Sequence, residues 1–203
     1  QSDDGAVYAR VLKEAAETEL PVKVYLFQAI PKGSRFETVI EKTVELGVYE
    51  IIPVEMKYCV SKWDDRKKEA KVRRLQAIAE SAAKQSKRNR IPQAGPFMTM
   101  KEAVAFCRDF DRIFIPYEHA SNMQETKKLF SEVKAGDRVA VFIGPEGGFE
   151  EEEVAMAEEA GAHAVTLGKR ILRTETAGMA VLSVGPADAA APALLSPEGS
   201  PLA

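Results

Sequence analysis

The chain has 203 residues, 45% hydrophobic and 29% charged, with a net charge of −3. That is enough length and apolar content for one sizeable core, and it excludes collagen-like, disulfide-scaffold and natively unfolded classes. No apolar run approaches a membrane span and no signal-peptide pattern is visible, so a cytoplasmic location is expected. Cys59 and Cys107 stand alone, without CxxC spacing, and read as inert core thiols. With only His119 and His163, a metal site or a Ser-His-Asp triad has little material, and no metal is expected. His163 reads as a partly buried strand residue, and no internal repeat is present.

In chain order, Ala6 to Leu12 alternates as a strand would, but one strand of this length builds no domain. Val22 to Ala29 is a continuous apolar run, the kind a parallel sheet buries on both faces. Pro31-Lys32-Gly33 turns the chain. Ser34 and Glu37 have capping-box spacing, and Phe36, Val39, Ile40 and Val44 form a helical stripe that stops at Gly47. Tyr49 to Met56 is the next strand, so a βαβ unit and a doubly wound parallel sheet are predicted. Lys32 and Arg35 follow the first strand and can reach the ligand edge, although solvated charge is the simpler account of Arg35.

Lys62 to Arg90 concentrates charge: eleven basic residues against four acidic ones, a local balance of +7 in an acidic chain. Val72, Leu75, Ile78, Ala79 and Ala82 give this stretch an apolar stripe, which predicts a long amphipathic helix with a basic face. Such a face suits a polyanion, and it is also what an ordinary solvated helix presents. Pro92 to Pro96 reads as a loop. Thr99 with Glu102 caps a helix through Cys107, Asp111 to Tyr117 is a strand, and Asn122 to Val133 a helix.

The most informative stretch is Asp137 to Met179. Arg138 to Ile143 is a buried strand, broken by Gly144-Pro145-Glu146-Gly147-Gly148. Four carboxylates, Glu150 to Glu153, open a helix that stops at Gly161, as the helix dipole favours. Ala162 to Leu167 is a strand, Gly168 turns the chain, and a last helix starts near Thr174. Two glycine loops therefore follow the carboxyl ends of strands, where open α/β sheets bind ligands. A phosphate cradle would add a Lys-Ser or Lys-Thr pair and an uncharged helix start. Here Glu146 and the four glutamates repel anions and tolerate a cationic ligand such as S-adenosylmethionine. Two tight turns and a capped helix would leave the same residues, so the loops alone leave both readings open. From 186 to 203 a Pro-, Ala- and Ser-rich tail has no core-forming pattern and is expected to be disordered or non-native.

Read together, IGPEGG and LGKRILRTETA resemble the 16S ribosomal RNA uracil-N3 methyltransferase family within the trefoil-knotted SPOUT methyltransferases. PKGSRFETVIEKTVELGV and ESAAKQSKRNRIP resemble that family's other signatures, in the same order. The resemblance implies an α/β fold with a mostly parallel sheet, helices on both faces and a C-terminal trefoil knot. It implies residues 1–20 as the remnant of an N-terminal RNA-binding β-barrel and residues 21–185 as the SPOUT domain. It also implies S-adenosyl-L-methionine as cofactor, 16S ribosomal RNA or the small subunit as partner, and a homodimer.

Carried onto this chain, the resemblance implies a cofactor site made by Gly144, Pro145, Glu146, Gly147, Gly148, Leu167, Gly168, Ile171, Leu172, Arg173, Thr174 and Thr176. Lys32, Gln85, Arg88 and Asn89 are implied as substrate RNA contacts, because amide side chains read base edges and guanidinium holds oxygen. Arg173 is the candidate for stabilising charge on the uracil carbonyls, or else it pairs with Glu175 or a glutamate of the preceding helix. Glu175 accepts the N3 proton or orients Arg173; the sequence does not separate these roles. Glu118 is a further loop carboxylate on the same edge. The competing readings are a ribose 2′-O methyltransferase of the same superfamily, a non-catalytic RNA-binding module, and an NTP-binding domain, the last disfavoured by the missing Lys-Ser pair.

Overall fold

In the computed structural model the described residues are 10 and 17–184. The expected barrel remnant therefore falls mostly outside the described residues, and the 186–203 tail wholly so. Continuous apolar segments between glycine turns become β1 (Lys23–Ala29), β2 (Glu50–Glu55), β3 (Gln93–Ala94), β4 (Met98–Thr99), β5 (Arg112–Pro116), β6 (Arg138–Ile143) and β7 (Ala162–Val165). The helices are α1 (Arg35–Glu45), α2 (Asp65–Gln85), α3 (Met100–Phe106), α4 (Met123–Ser131), α5 (Glu151–Glu159) and α6 (Thr174–Val184). The sheet runs β3-β2-β1-β6-β5-β7, with β4 also on β2, and every pairing is parallel.

The direction of strand addition reverses after β4, since β1 to β4 build one way from the centre and β5 to β7 the other. Right-handed crossovers then place α1 and α2 on one face and α3 and α5 on the other. The packing agrees: α1 contacts α2 and α6, and α3 contacts α5. The central strands β1 and β6 are buried on both sides, which explains their unbroken hydrophobicity. Phe27 of β1 stacks on Phe142 of β6 with centroids 4.6 Å apart, and Phe114 meets Phe130 edge-on at 5.0 Å. Both cysteines are buried, and loss of solvent raises both thiols, Cys107 to about 12.

Several local expectations need correction. Ser34 occupies the α1 N-cap, but its side chain caps nothing, and Glu37 pairs with Arg74 of α2 at 2.9 Å instead. The Glu37 N–H donates to the Ser34 backbone carbonyl at 3.0 Å, so the hydroxyl does not have that donor to accept from. Thr99 and Glu102 do form their box, at 3.3 and 2.8 Å. The basic helix spans Asp65–Gln85 rather than the whole charged stretch. Asp64 caps its start, and Lys87 takes φ 59° just past its end. The Pro92 to Pro96 loop contains β3, too short for any alternation to show. His163 is exposed, not partly buried, because β7 is the sheet's edge.

Candidate active site

The carboxyl ends of β1 and β6 converge on the start of α6. Gln28, the only polar residue between Val24 and Ile30 apart from the Tyr25 hydroxyl, is completely buried near the end of β1. Its amide Nε2 donates to Thr174 Oγ1 at 2.8 Å and to the Ala29 carbonyl at 3.2 Å. Thr174 Oγ1 in turn donates to the Gly144 carbonyl at 2.7 Å. A hydroxyl has one proton, so donation to Gly144 leaves only lone pairs facing Gln28, and the amide must present its nitrogen. The first glycine loop and the start of the helix after the second are thus joined directly. Gly178 lets α6 lie this close: a Cβ there would sit 3.3 Å from Leu26 and 3.5 Å from Gln28 Oε1.

Charge collects on the rim. Glu146 Oε1 accepts from the Lys32 backbone N–H at 3.0 Å and from Arg35 Nη1 at 2.8 Å. Burial pushes the Glu146 carboxyl up, but the Lys32 and Glu146 backbone N–H groups and the Arg35 guanidinium outweigh it and hold it below the usual range. Arg35 Nε also lies 3.9 Å from Glu175, whose Oε2 is buried without a hydrogen-bond partner among the described residues. Arg35, which by sequence reads as plain solvated charge, therefore links two carboxylates of the site. Arg173 is exposed, and its side chain is paired with neither Glu175 nor an α5 glutamate among the described residues.

A third loop, after β2, closes one side. The Lys57 N–H donates to Glu153 Oε1 at 2.8 Å, while Glu153 Oε2 accepts from the Glu150 N–H at 3.1 Å. The acidic run therefore does more than complement a dipole, because buried Glu153 ties α5 to a neighbouring loop. A Cβ on Gly147 would lie 2.9 Å from Tyr58 Cβ, so this glycine is required by the packing of that loop. Gly148 and Gly168 take φ 77° and 120°, with open space where a Cβ would project. The second loop is fixed by Thr166: its Oγ1 accepts from the Gly168 N–H at 3.3 Å, and its own N–H donates to Thr126 of α4 at 3.0 Å.

The structure brings together most of the residues expected there: Gly144 to Gly148, Thr174, Glu175 and Lys32. Pro145 is buried, and Leu167 and Leu172 are half-buried. Gly168, Thr176 and Arg173 are exposed, and so is Ile171, at 89%. Gln85, Arg88 and Asn89 are not brought to this edge. They lie at the opposite, amino-terminal end of the strands. Arg88 donates to the Val44 and Val48 carbonyls (3.0 and 2.8 Å) and pairs with Glu19, leaving its side chain 3% exposed. The Asn89 N–H donates to Thr18 Oγ1 at 3.0 Å. In this chain Arg88 ties the entering segment to the end of α1. Sequence reasoning missed Gln28, Thr126, Thr166 and Tyr58; only Gln28 left a signal, as a polar residue in a strand buried on both faces.

A parallel sheet with two glycine loops joined at its carboxyl edge is the arrangement in which open α/β sheets bind ligands, and the RNA methyltransferase domain family matches residues 18–185. The chain belongs to that family. Among its relatives, ribosomal RNA small subunit methyltransferase E of Bacillus subtilis is 38% identical over 168 residues, covering 81% of this chain. The protein of the same name in Mycobacterium bovis is 33% identical over 186 residues, covering 90% of this chain and 70% of that protein. The chain spans 66% of the length of the Bacillus protein. A crystal structure of ribosomal RNA small subunit methyltransferase E from Neisseria gonorrhoeae, bound to S-adenosyl methionine, superposes with a TM-score of 0.71. It is 33% identical, with coverage of 84% of this chain and 68% of that one.

Proposed function

We propose that the protein methylates N3 of a uridine in 16S ribosomal RNA, using S-adenosyl-L-methionine. The observation that carries this reading is the 2.7 Å bond from Thr174 to the Gly144 carbonyl, which joins two glycine loops directly beside Arg173. The site suits the cofactor on its own terms. Open space at Gly148 and Gly168 leaves backbone groups approachable, and Glu146 and Glu175 favour a cation over a phosphate. Gly144 to Gly148, Leu167, Gly168 and Ile171 to Arg173 would hold it mainly through backbone, with Thr174 and Thr176 adding hydroxyls. When bound, it supplies an electrophilic methyl group.

Uracil N3 is a poor nucleophile until its proton leaves and negative charge spreads onto O2 and O4. Arg173 offers paired donors to a carbonyl oxygen and stays charged throughout. Glu175 would accept that proton or orient Arg173, and its one carboxylate oxygen without a hydrogen-bond partner among the described residues supports the former role. Arg35 pairs with Glu146 at 2.8 Å and lies 3.9 Å from the other carboxylate oxygen of Glu175. The return of α6 from the edge strand β7 to α1 and β1 supports a trefoil knot at the C-terminal end. A homodimer acting in the cytoplasm on 16S ribosomal RNA or the small subunit completes the proposal.

The test is to incubate the protein with small ribosomal subunits lacking the modification and map the methylated atom by mass spectrometry. A methyl on uracil N3 is expected; a methyl on ribose oxygen, or none, overturns the assignment. Arg173→Ala should lower kcat by about 10²- to 10³-fold while calorimetric cofactor affinity stays within about twofold of the parent.

A further inference from the structure

We infer that Gln28 is a positioning residue for the ligand loop, acting through Thr174 on the Gly144 carbonyl. The inference rests on the methyltransferase reading only for the ligand's identity; the geometry is independent of it. Gln28 is fully buried, and burying an amide in an apolar strand is unfavourable unless its hydrogen bonds are made. Here the two donors are used and the acceptor is not: Oε1 has no partner among the described residues. Leu or Met would fill the same space without leaving an orphaned oxygen. What the amide adds is direction, because its N–H obliges Thr174 to aim its single proton at Gly144.

That choice has consequences beyond one bond. The Gly144 carbonyl is the first peptide group after β6, so fixing it sets the plane from which Pro145 to Gly148 continue. Thr174 is also the first residue of α6, next to both Arg173 and Glu175. One buried amide on β1 therefore registers the ligand loop against the residues proposed for chemistry. The chain Gln28 to Thr174 to Gly144 runs from a buried central strand to the half-buried start of the ligand loop, and each step is a hydrogen bond of 2.8 Å or less.

The test compares Gln28→Leu, Thr174→Val, Thr174→Ser and the Gln28→Leu/Thr174→Val double variant. Hydrogen exchange at residues 144–148 without ligand is followed together with calorimetric S-adenosylmethionine affinity and melting temperature. Gln28→Leu and Thr174→Val should each speed exchange in this loop about tenfold and weaken affinity about tenfold, with β1 and β6 unchanged. The double variant should be no worse than either single one, since both break the same relay. Thr174→Ser, which keeps the hydroxyl, should keep the parent's exchange rates at residues 144–148. Unchanged loop exchange in both single variants, or effects that multiply in the double, overturns the inference. Should Gln28→Leu not fold, Gln28→Met, which keeps the side-chain length without the amide, takes its place and is read in the same way. A parent chain that binds no S-adenosylmethionine overturns the methyltransferase reading instead, and loop exchange still decides the role of Gln28.

Discussion

Glu146 shows how a loop carboxylate acquires a task. Three donors hold it charged against the effect of burial, so its folded pKa lies below its unfolded one. A depressed carboxylate contributes stability that is intact above the ordinary glutamate value, about 4.3, and fades as the pH falls through the lower folded value. Arg35→Ala should therefore move the Glu146 titration upward, readable by NMR of its side-chain carbonyl carbon; an unmoved midpoint would deny the guanidinium its part. The same substitution should loosen Glu175, the other carboxylate Arg35 touches. Neither pairing was visible beforehand, because Arg35 and Glu146 are 111 positions apart and nothing local distinguishes Arg35 from its solvated neighbours.

At the scale of elements, the sheet's outer edge at β3 is closed by a side chain. Gln76 of α2 accepts from the Ala94 N–H at 2.8 Å and donates to the Pro92 carbonyl at 3.2 Å. These are the two groups a neighbouring parallel strand would use, so Gln76 stands in for one. Gln76→Leu should strand both groups and destabilise the fold by roughly 1–3 kcal/mol in urea unfolding. Gln76→Glu, able to accept but not donate, should recover only part of that loss. The helix itself is legible in the sequence from its apolar stripe and charge, yet β3 is not. Two residues cannot display a period, and their strand geometry comes from β2 on one side and Gln76 on the other.

Across the whole molecule, stability and site share one centre. Phe27 and Phe142 stack where β1 and β6 lie side by side, in the layer directly beneath Gln28 and Gly144. Phe142→Ala should cost about 3–5 kcal/mol, with the core and the ligand edge lost in a single urea transition. A separate early transition at the edge would show that the two are uncoupled.

The sequence by itself determined the parallel α/β class, the two glycine loops and the helix that follows each. Strand hydrophobicity, glycine turns and acidic helix starts act within a few residues of one another, so their pattern can be read in one dimension. Only the tertiary structure decided which charged residues share the site. It drew Arg35 in and set Arg88 at the far end of the strands, where two carbonyls and Glu19 occupy its donors. It also gave Gln28 its role. A side chain's use depends on which groups the folded chain leaves within 3 Å or so of it, and that distance is fixed by strand order and crossover rather than by neighbouring residues.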